Sequence, residues 1–262
     1  MARDIIDDRL LGALHIRAMD RGSFRSDPAV EHVAFQAGTL NALMDGHFGG
    51  DATVGEVLAH GDHGIGTIEH LAGELVIVDG EAFVVDARGV VKRVPSDIPT
   101  PFAVVCRFSP LAVVELHGPL GLRKLRERLD GLVSESLSVL AVRVDGEFAE
   151  LRLRSVHAQQ PPYPSLTEVT RHQTEWNVAS ARGTVVGFRF PDRAAGVEVP
   201  GYHLHFISDD RTQGGHVLDL TMVRGQAAVD GGDDLHVELP KHIGLGVPGV
   251  ADRAAIRAAE GG

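Results

Sequence analysis

Between Glu74 and Val94 the chain runs through β-branched and aromatic stretches broken at Asp79-Gly80 and at Ala87-Arg88-Gly89. That spacing predicts a meander of hairpins. Phe102–Phe108 predicts another strand. Val139–Val144 and Phe148–Val156 predict a hairpin reversed at Asp145-Gly146, and four short β-like runs follow at Gly183–Arg189, Gly201–Ile207, His216–Val223 and Leu235–Leu239. Helical spacing is rarer. Leu122, Leu125 and Leu129 between Pro119 and Leu132 predict an amphipathic helix laid over a sheet. Leu40, Leu43 and Met44 suit one helical turn, stopped by Asp45-Gly46, and Val54–Ala59 suits another. Leu10, Leu11, Leu14 and Ile16 suggest a short helix near the start, and Asp252–Glu260 a helical run near the end. No internal repeat of fixed period is present. The pattern as a whole predicts an α+β fold: two mainly antiparallel or mixed β-sheet domains with a few covering helices, joined near the proline-rich Ala158–Ser165.

Composition narrows the functional classes. The chain has 262 residues and is 44% apolar, enough for a substantial core. It lacks any run of about 18 apolar residues that would cross a membrane. The first residues are acid-rich without the apolar centre of a signal peptide, so a cytoplasmic location is expected. A lone cysteine, Cys106, forms no intrachain disulfide and reads as strand packing. A net charge of −11 with no basic block argues against nucleic acid. Nothing in that charge opposes a small anionic substrate, which one arginine and one metal ion can hold.

The chemistry concentrates in Gly201–His216. His203 and His205 stand two residues apart, so on a strand both leave the same face. The turn-forming Ser208–Gly215 stretch follows, and a reversal there returns His216 beside them on the next strand. Three neutral imidazoles converging in this way suit a divalent ion, most commonly zinc, with a fourth position left open. The chain is therefore expected to comprise an N-terminal extension of uncertain order (1–33), an N-terminal α/β sheet domain (34–158) and a C-terminal β-rich metal-binding domain with a tail (159–262), the His₃ site lying on a β-hairpin of the last. The alternative is a structural set of strand histidines in a chain that holds 14.

Further segments occur in a fixed order: Gly61-Asp-His-Gly-Ile-Gly-Thr67, Ala72-Gly-Glu-Leu-Val-Ile-Val-Asp-Gly-Glu81, Ala141-Val-Arg-Val-Asp-Gly146, Arg154-Ser-Val156, Gly183-Thr-Val-Val-Gly-Phe188 and Pro200–Ile207. Together they resemble the α-acetolactate decarboxylase family over residues 34–262. The resemblance implies a Zn²⁺-dependent lyase that converts 2-acetolactate, a small β-keto acid, to acetoin and carbon dioxide, in a two-domain α/β subunit that forms a homodimer. It places the metal on His203, His205 and His216, and assigns Glu74, Arg154 and the C-terminal Glu260 to the reaction. Two departures stand out: His63 replaces the family's phenylalanine, which is expected to alter the pocket wall, and Ala72 replaces an acid.

These residue types suit the reaction. Loss of carbon dioxide leaves an electron pair that a polarised ketone oxygen accepts. An arginine holds a carboxylate in a planar fork, with Arg152 and Arg143 as competitors for the role. A carboxylic acid returns the proton. Gly64-Ile65-Gly66-Thr67 lacks the spacing of a nucleotide loop and reads as a tight turn lining the pocket, with the Thr67 hydroxyl near substrate. His60, His63 and His70 read as surface or pocket-wall residues. The rival functions are a metal-dependent decarboxylase or isomerase of another branched β-keto acid, and a non-catalytic metal-binding sensor.

Overall fold

Strands make up half of the residues that the computed structural model describes, which are 14–133, 137–239 and 254–256. In chain order the elements are β1 (His15–Met19), α1 (Arg21–Ser26), β2 (Val33–Ala37), α2 (Leu40–Met44), β3 (Ala52–Thr53), α3 (Val54–Leu58), β4 (His63–Thr67), β5 (Glu74–Val78), β6 (Glu81–Val85), β7 (Val91–Arg93), β8 (Pro99–Thr100) and β9 (Phe102–Cys106). They continue with β10 (Ala112–Gly121), α4 (Leu122–Asp130), β11 (Val139–Ser155), α5 (Leu166–Thr170), β12 (Thr174–Phe190), β13 (Gly201–Ser208), β14 (Gly214–Gly232) and β15 (Asp234–Glu238). The short helices begin where side chains cap free N–H groups: Thr53 with Glu56 on α3 and Ser165 with Glu168 on α5 are reciprocal capping boxes.

Eight strands form one sheet in the order β1-β15-β2-β9-β4-β5-β6-β7. β15 lies parallel to both β1 and β2, and the other pairs are antiparallel. The β5–β6 reversal uses Asp79 and Gly80, both at positive φ, the conformation a two-residue hairpin needs to match strand twist. The other large sheet runs β10-β14-β11-β12-β13, and β13 also pairs with the first residues of β14. Four of its strands, β11 to β14, thus close into a ring.

Ring closure explains where the sequence reading fails at Asp145-Gly146. β11 passes straight through these residues instead of reversing. Gly146 lies in register between Gly183 on β12 and Gly225 on β14, and a side-chain carbon on it would lie 2.6 Å from the Arg224 carbonyl oxygen. The glycine permits close approach of three curled strands, which local pattern cannot distinguish from a turn. The expected helix at Leu10–Ile16 also fails where it is described: Ile16 lies in β1, and Leu14 and Ile16 are fully buried. Pairing with β15, over two hundred residues away, overrides a weak local preference. Leu10 and Leu11 lie outside the described residues. The sheets also exchange strands across residue 158: β10 and β11 precede it yet join β12–β14, whereas β15 follows it and joins the first sheet.

Alternation sorts the core into layers. Between the sheets, Ile65, Val76 and Val104 meet Ala141, Val186, Phe188 and Ile207. Inside the ring, Leu140, Val142, Phe148 and Phe206 pack beneath Leu122, Leu125 and Leu129 of α4, the helix whose leucine spacing was legible. The outer face of the first sheet packs Phe35, Leu75 and Val105 with residues of α1 and α3.

His63 sits in the layer between the sheets, with ring centroids 4.5 Å from Phe108 and 5.9 Å from Phe188. This corrects its expected place in the pocket wall. Neither ring nitrogen makes a well-formed hydrogen bond. Burial, then the nearby charge of Arg143, pushes its pKa from 6.5 down to about 3.

Two outcomes follow for stability. Gly146→Ala forces a carbon against the Arg224 carbonyl and is expected to lower unfolding stability by about 1–3 kcal/mol, read by denaturant titration. His63 holds a folded-state pKa below its unfolded value, so its stabilising neutrality is complete above pH 6.5 and lost as pH falls toward about 3. His63→Phe is therefore expected to retain stability at neutral pH and to flatten that acid limb; an unchanged limb would exclude His63 as a source of it.

Candidate active site

Strand alternation builds the site. On β13, Leu204 and Phe206 point into the ring, so His203 and His205 point the other way, toward the first sheet. On β14, Val217 faces inward and His216 outward; on β11, Leu153 faces inward and Arg154 outward. Register completes the grouping, since His216 lies opposite both His205 and Arg154. Across the gap, Glu74 is the first residue of β5 and shares a face with Val76 and Val78 of the inter-sheet core. Two strand systems therefore deliver five polar side chains to one end of an apolar layer.

The three imidazoles are buried, with ring centroids 5.0, 5.0 and 5.4 Å apart. One nitrogen from each lies within 4.8 Å of the others. Among the described residues, no other group of three or more His, Cys, Asp or Glu side chains converges in this way. Burial, then the charge of Arg154, lowers the pKa of His203 to about 3; burial, then His203, holds that of His205 well below 6.5. Both are neutral at physiological pH, the form that ligates a metal.

His205 carries the sharpest test of that role. Its Nδ1 donates to the Leu75 carbonyl at 2.8 Å, which assigns the lone pair to Nε2. Nε2 is buried without a hydrogen-bond partner, 3.4 Å from Oε2 of Glu74. A lone pair facing a carboxylate oxygen, with no proton between them, is an arrangement that a cation stabilises. The donor set fits a divalent ion.

Arg154 connects the parts. Its Nη1 donates to Oε1 of Glu74 at 2.9 Å, and Nη2 lies 3.3 Å from Nδ1 of His216. The competing arginines are engaged elsewhere: Arg152 is exposed and pairs with Glu175, while Arg143 bridges Asp79 and Asp145. Thr67 lines the same pocket as Glu74, Arg154 and His203. Its hydroxyl donates to the Gly73 carbonyl at 2.8 Å, leaving its lone pairs to accept. Gly64-Ile65-Gly66-Thr67 belongs to strand β4 instead of the expected turn; Cβ atoms on Gly64 and Gly66 would strike β9 carbonyls at 2.5 and 2.3 Å.

Other expectations are redistributed. His60 is fully buried, stacked on Phe35 and hydrogen-bonded to the Phe24 carbonyl, and His70 is bonded to Tyr163. Glu260 lies outside the described residues, although Ile256, four residues before it, packs in the apolar cluster of Leu71, Phe102 and Val156 beside the pocket. The Leu75 carbonyl had no signal in the sequence, because a backbone group carries no residue label. Leu71 had only its nearness to Glu74.

The alpha-acetolactate decarboxylase family model matches residues 34–244. The chain is 38% identical over 236 residues to the alpha-acetolactate decarboxylase of Methylococcus capsulatus, covering 90% of this chain and 91% of that one. It is 41% identical over 209 residues to that of Methanosarcina mazei, covering 79% and 72%. Among solved structures, alpha-acetolactate decarboxylase from Bacillus subtilis strain 168 superposes with a TM-score of 0.82 at 30% identity, covering 87% of this chain and 99% of that one. A Staphylococcus aureus protein of unknown function, described as similar to alpha-acetolactate decarboxylase, superposes with the same score and identity over 87% and 100%. Matched over most of its length in both sequence and fold, the chain belongs to the alpha-acetolactate decarboxylase family, a family of lyases.

Proposed function

We propose that the protein decarboxylates 2-acetolactate to acetoin and carbon dioxide, with Zn²⁺ held by His203, His205 and His216. The observation that carries this reading is the buried convergence of three imidazoles against the Arg154–Glu74 pair. A zinc ion there would supply Lewis acidity that polarises the substrate's ketone oxygen. The chain's own groups account for the rest. Arg154 offers a fixed planar cation to the carboxylate or to the developing oxyanion. The bond from the carboxylate carbon to C2 breaks, carbon dioxide leaves, and the electron pair passes toward the adjacent carbonyl as an enediolate. C2 then takes a proton, for which Glu74 and Glu260 are the candidate donors. The Thr67 hydroxyl oxygen accepts from the substrate hydroxyl. Inter-sheet packing keeps bulk water from the polar end of the layer, which strengthens each of these contacts.

The presence of Arg154 and Glu74 beside the imidazoles favours an enzyme over a sensor, which needs the metal without an acid and a guanidinium next to it. Zinc as the ion and the homodimer are parts of the same proposal and rest on the family resemblance; a cytoplasmic location is proposed with them. No helix among the described residues is long and apolar enough to cross a membrane.

The reading is tested by acetoin formation from racemic 2-acetolactate, with metal content measured before and after chelation. Activity that leaves with zinc and returns on its readdition is expected; bound zinc without acetoin would sink the substrate assignment. His205→Ala is expected to lose metal and turnover together. Glu74→Gln is expected to keep the metal and lower kcat by at least about a hundredfold. Normal turnover in a folded Glu74→Gln protein would remove the acid role.

A further inference from the structure

The connection between β4 and β5 contains two adjacent non-glycine residues in the left-handed region, His70 at φ 64° and Leu71 at φ 54°. L side chains rarely adopt this conformation, and such strain persists only where its surroundings over-determine it. Here they do. The His70 N–H donates to the Phe48 carbonyl at 2.8 Å, and the His70 carbonyl accepts from the Gln159 N–H at 2.7 Å. The His70 Nδ1 hydrogen-bonds the Tyr163 hydroxyl at 2.5 Å. The Gly73 N–H donates to the Leu71 carbonyl at 2.9 Å, while Thr67 holds the Gly73 carbonyl.

What this clamp delivers is the Leu71 side chain. It is 3% exposed and lies in the wall of the pocket that also holds Glu74, three residues later. The pocket has two chemical sides: Thr67, Glu74, Arg154 and His203 on one, and Leu43, Leu71, Phe102, Val156 and Leu166 on the other. Carboxylate, hydroxyl and ketone groups match the first side, so the alkyl groups of a 2-alkyl-2-hydroxy-3-keto acid are left for the second. Four of the apolar residues are set by helix or strand packing: Leu43 on α2, Phe102 on β9, Val156 directly after β11 and Leu166 on α5. Leu71 is set by the clamp.

We propose that Leu71, held left-handed by the His70–Tyr163 clamp, is the specificity-determining wall that limits alkyl length in the substrate, with Tyr163 as its positioning residue. This rests on the reaction proposed above. A single methylene against an apolar wall changes kcat/KM by roughly ten- to two-hundredfold.

The test compares kcat/KM for 2-acetolactate with homologues lengthened by one methylene at the C2 alkyl group or at the acyl group. In Leu71→Ala, the longer-to-shorter ratio is expected to rise about tenfold or more at one of these positions, with metal content unchanged. Leu71→Phe is expected to move that ratio the other way. Tyr163→Phe removes the clamp's hydroxyl from outside the pocket lining and is expected to shift the ratio in the direction of Leu71→Ala, by less. If Leu71→Ala fails to fold, the other two variants carry the test. Ratios that stay at the wild-type value at both positions, with all substrates falling by a common factor, would overturn the proposal and leave Leu71 a structural residue. A wild-type protein that turns over none of these acids would instead overturn the reaction itself.

Discussion

Three imidazoles, a guanidinium and a carboxylate share a site from which bulk water is excluded, and removing them from water costs more free energy than any one contact returns. The arrangement is stable only when each group meets its partner closely. Arg154 on β11 meets Glu74 on β5, and His205 on β13 meets the Leu75 carbonyl. Both contacts cross from one sheet to the other. The spacing of the sheets and the geometry of the site are therefore a single variable: the packing of Val76 and Val104 against Val186 and Phe188 sets the distance at which the polar groups meet. A change that wedges the sheets apart would separate Arg154 from Glu74 without touching either.

The same strands serve core and site because their faces alternate. Leu204 and Phe206 fill the ring while His203 and His205, interleaved with them, face the opposite layer. This division explains how imidazoles can be buried without interrupting the apolar core: they replace only the outward positions at the end of the inter-sheet layer. It also makes register decisive. A slip of one residue along β13 would point both histidines into the ring and two apolar side chains at Glu74.

Legibility from sequence followed the range of the interaction. The α4 leucines and the Asp79-Gly80 reversal depend on neighbours a few residues away, and both were readable. His203 and His205 were placed on one face by strand period alone. Glu74 and Arg154 looked like ordinary strand-start and strand residues, and only the ordered motifs singled them out. Gly146 misled because a glycine needed for close approach between strands is indistinguishable, locally, from one needed for a turn. His63 misled for a related reason: its layer is defined by Phe108 and Phe188, one of them more than a hundred residues away. Leu71 carried no pattern, since the groups that hold its neighbour His70 belong to the distant Phe48, Gln159 and Tyr163.

The place of β15 in the first sheet bears on the order of assembly. β15 inserts between β1 and β2, so two strands from the first forty residues have no path to each other except through residues 234–238. As the chain leaves the ribosome, β1 and one side of β2 wait for the strand they pair with among the described residues until 234–238 have emerged. The ring strands, consecutive in the chain from Val139 to Gly232, are all available before that moment. Insertion of β15 is then the closing event of sheet assembly, and a chain truncated before it would present an unpaired β-edge to other chains.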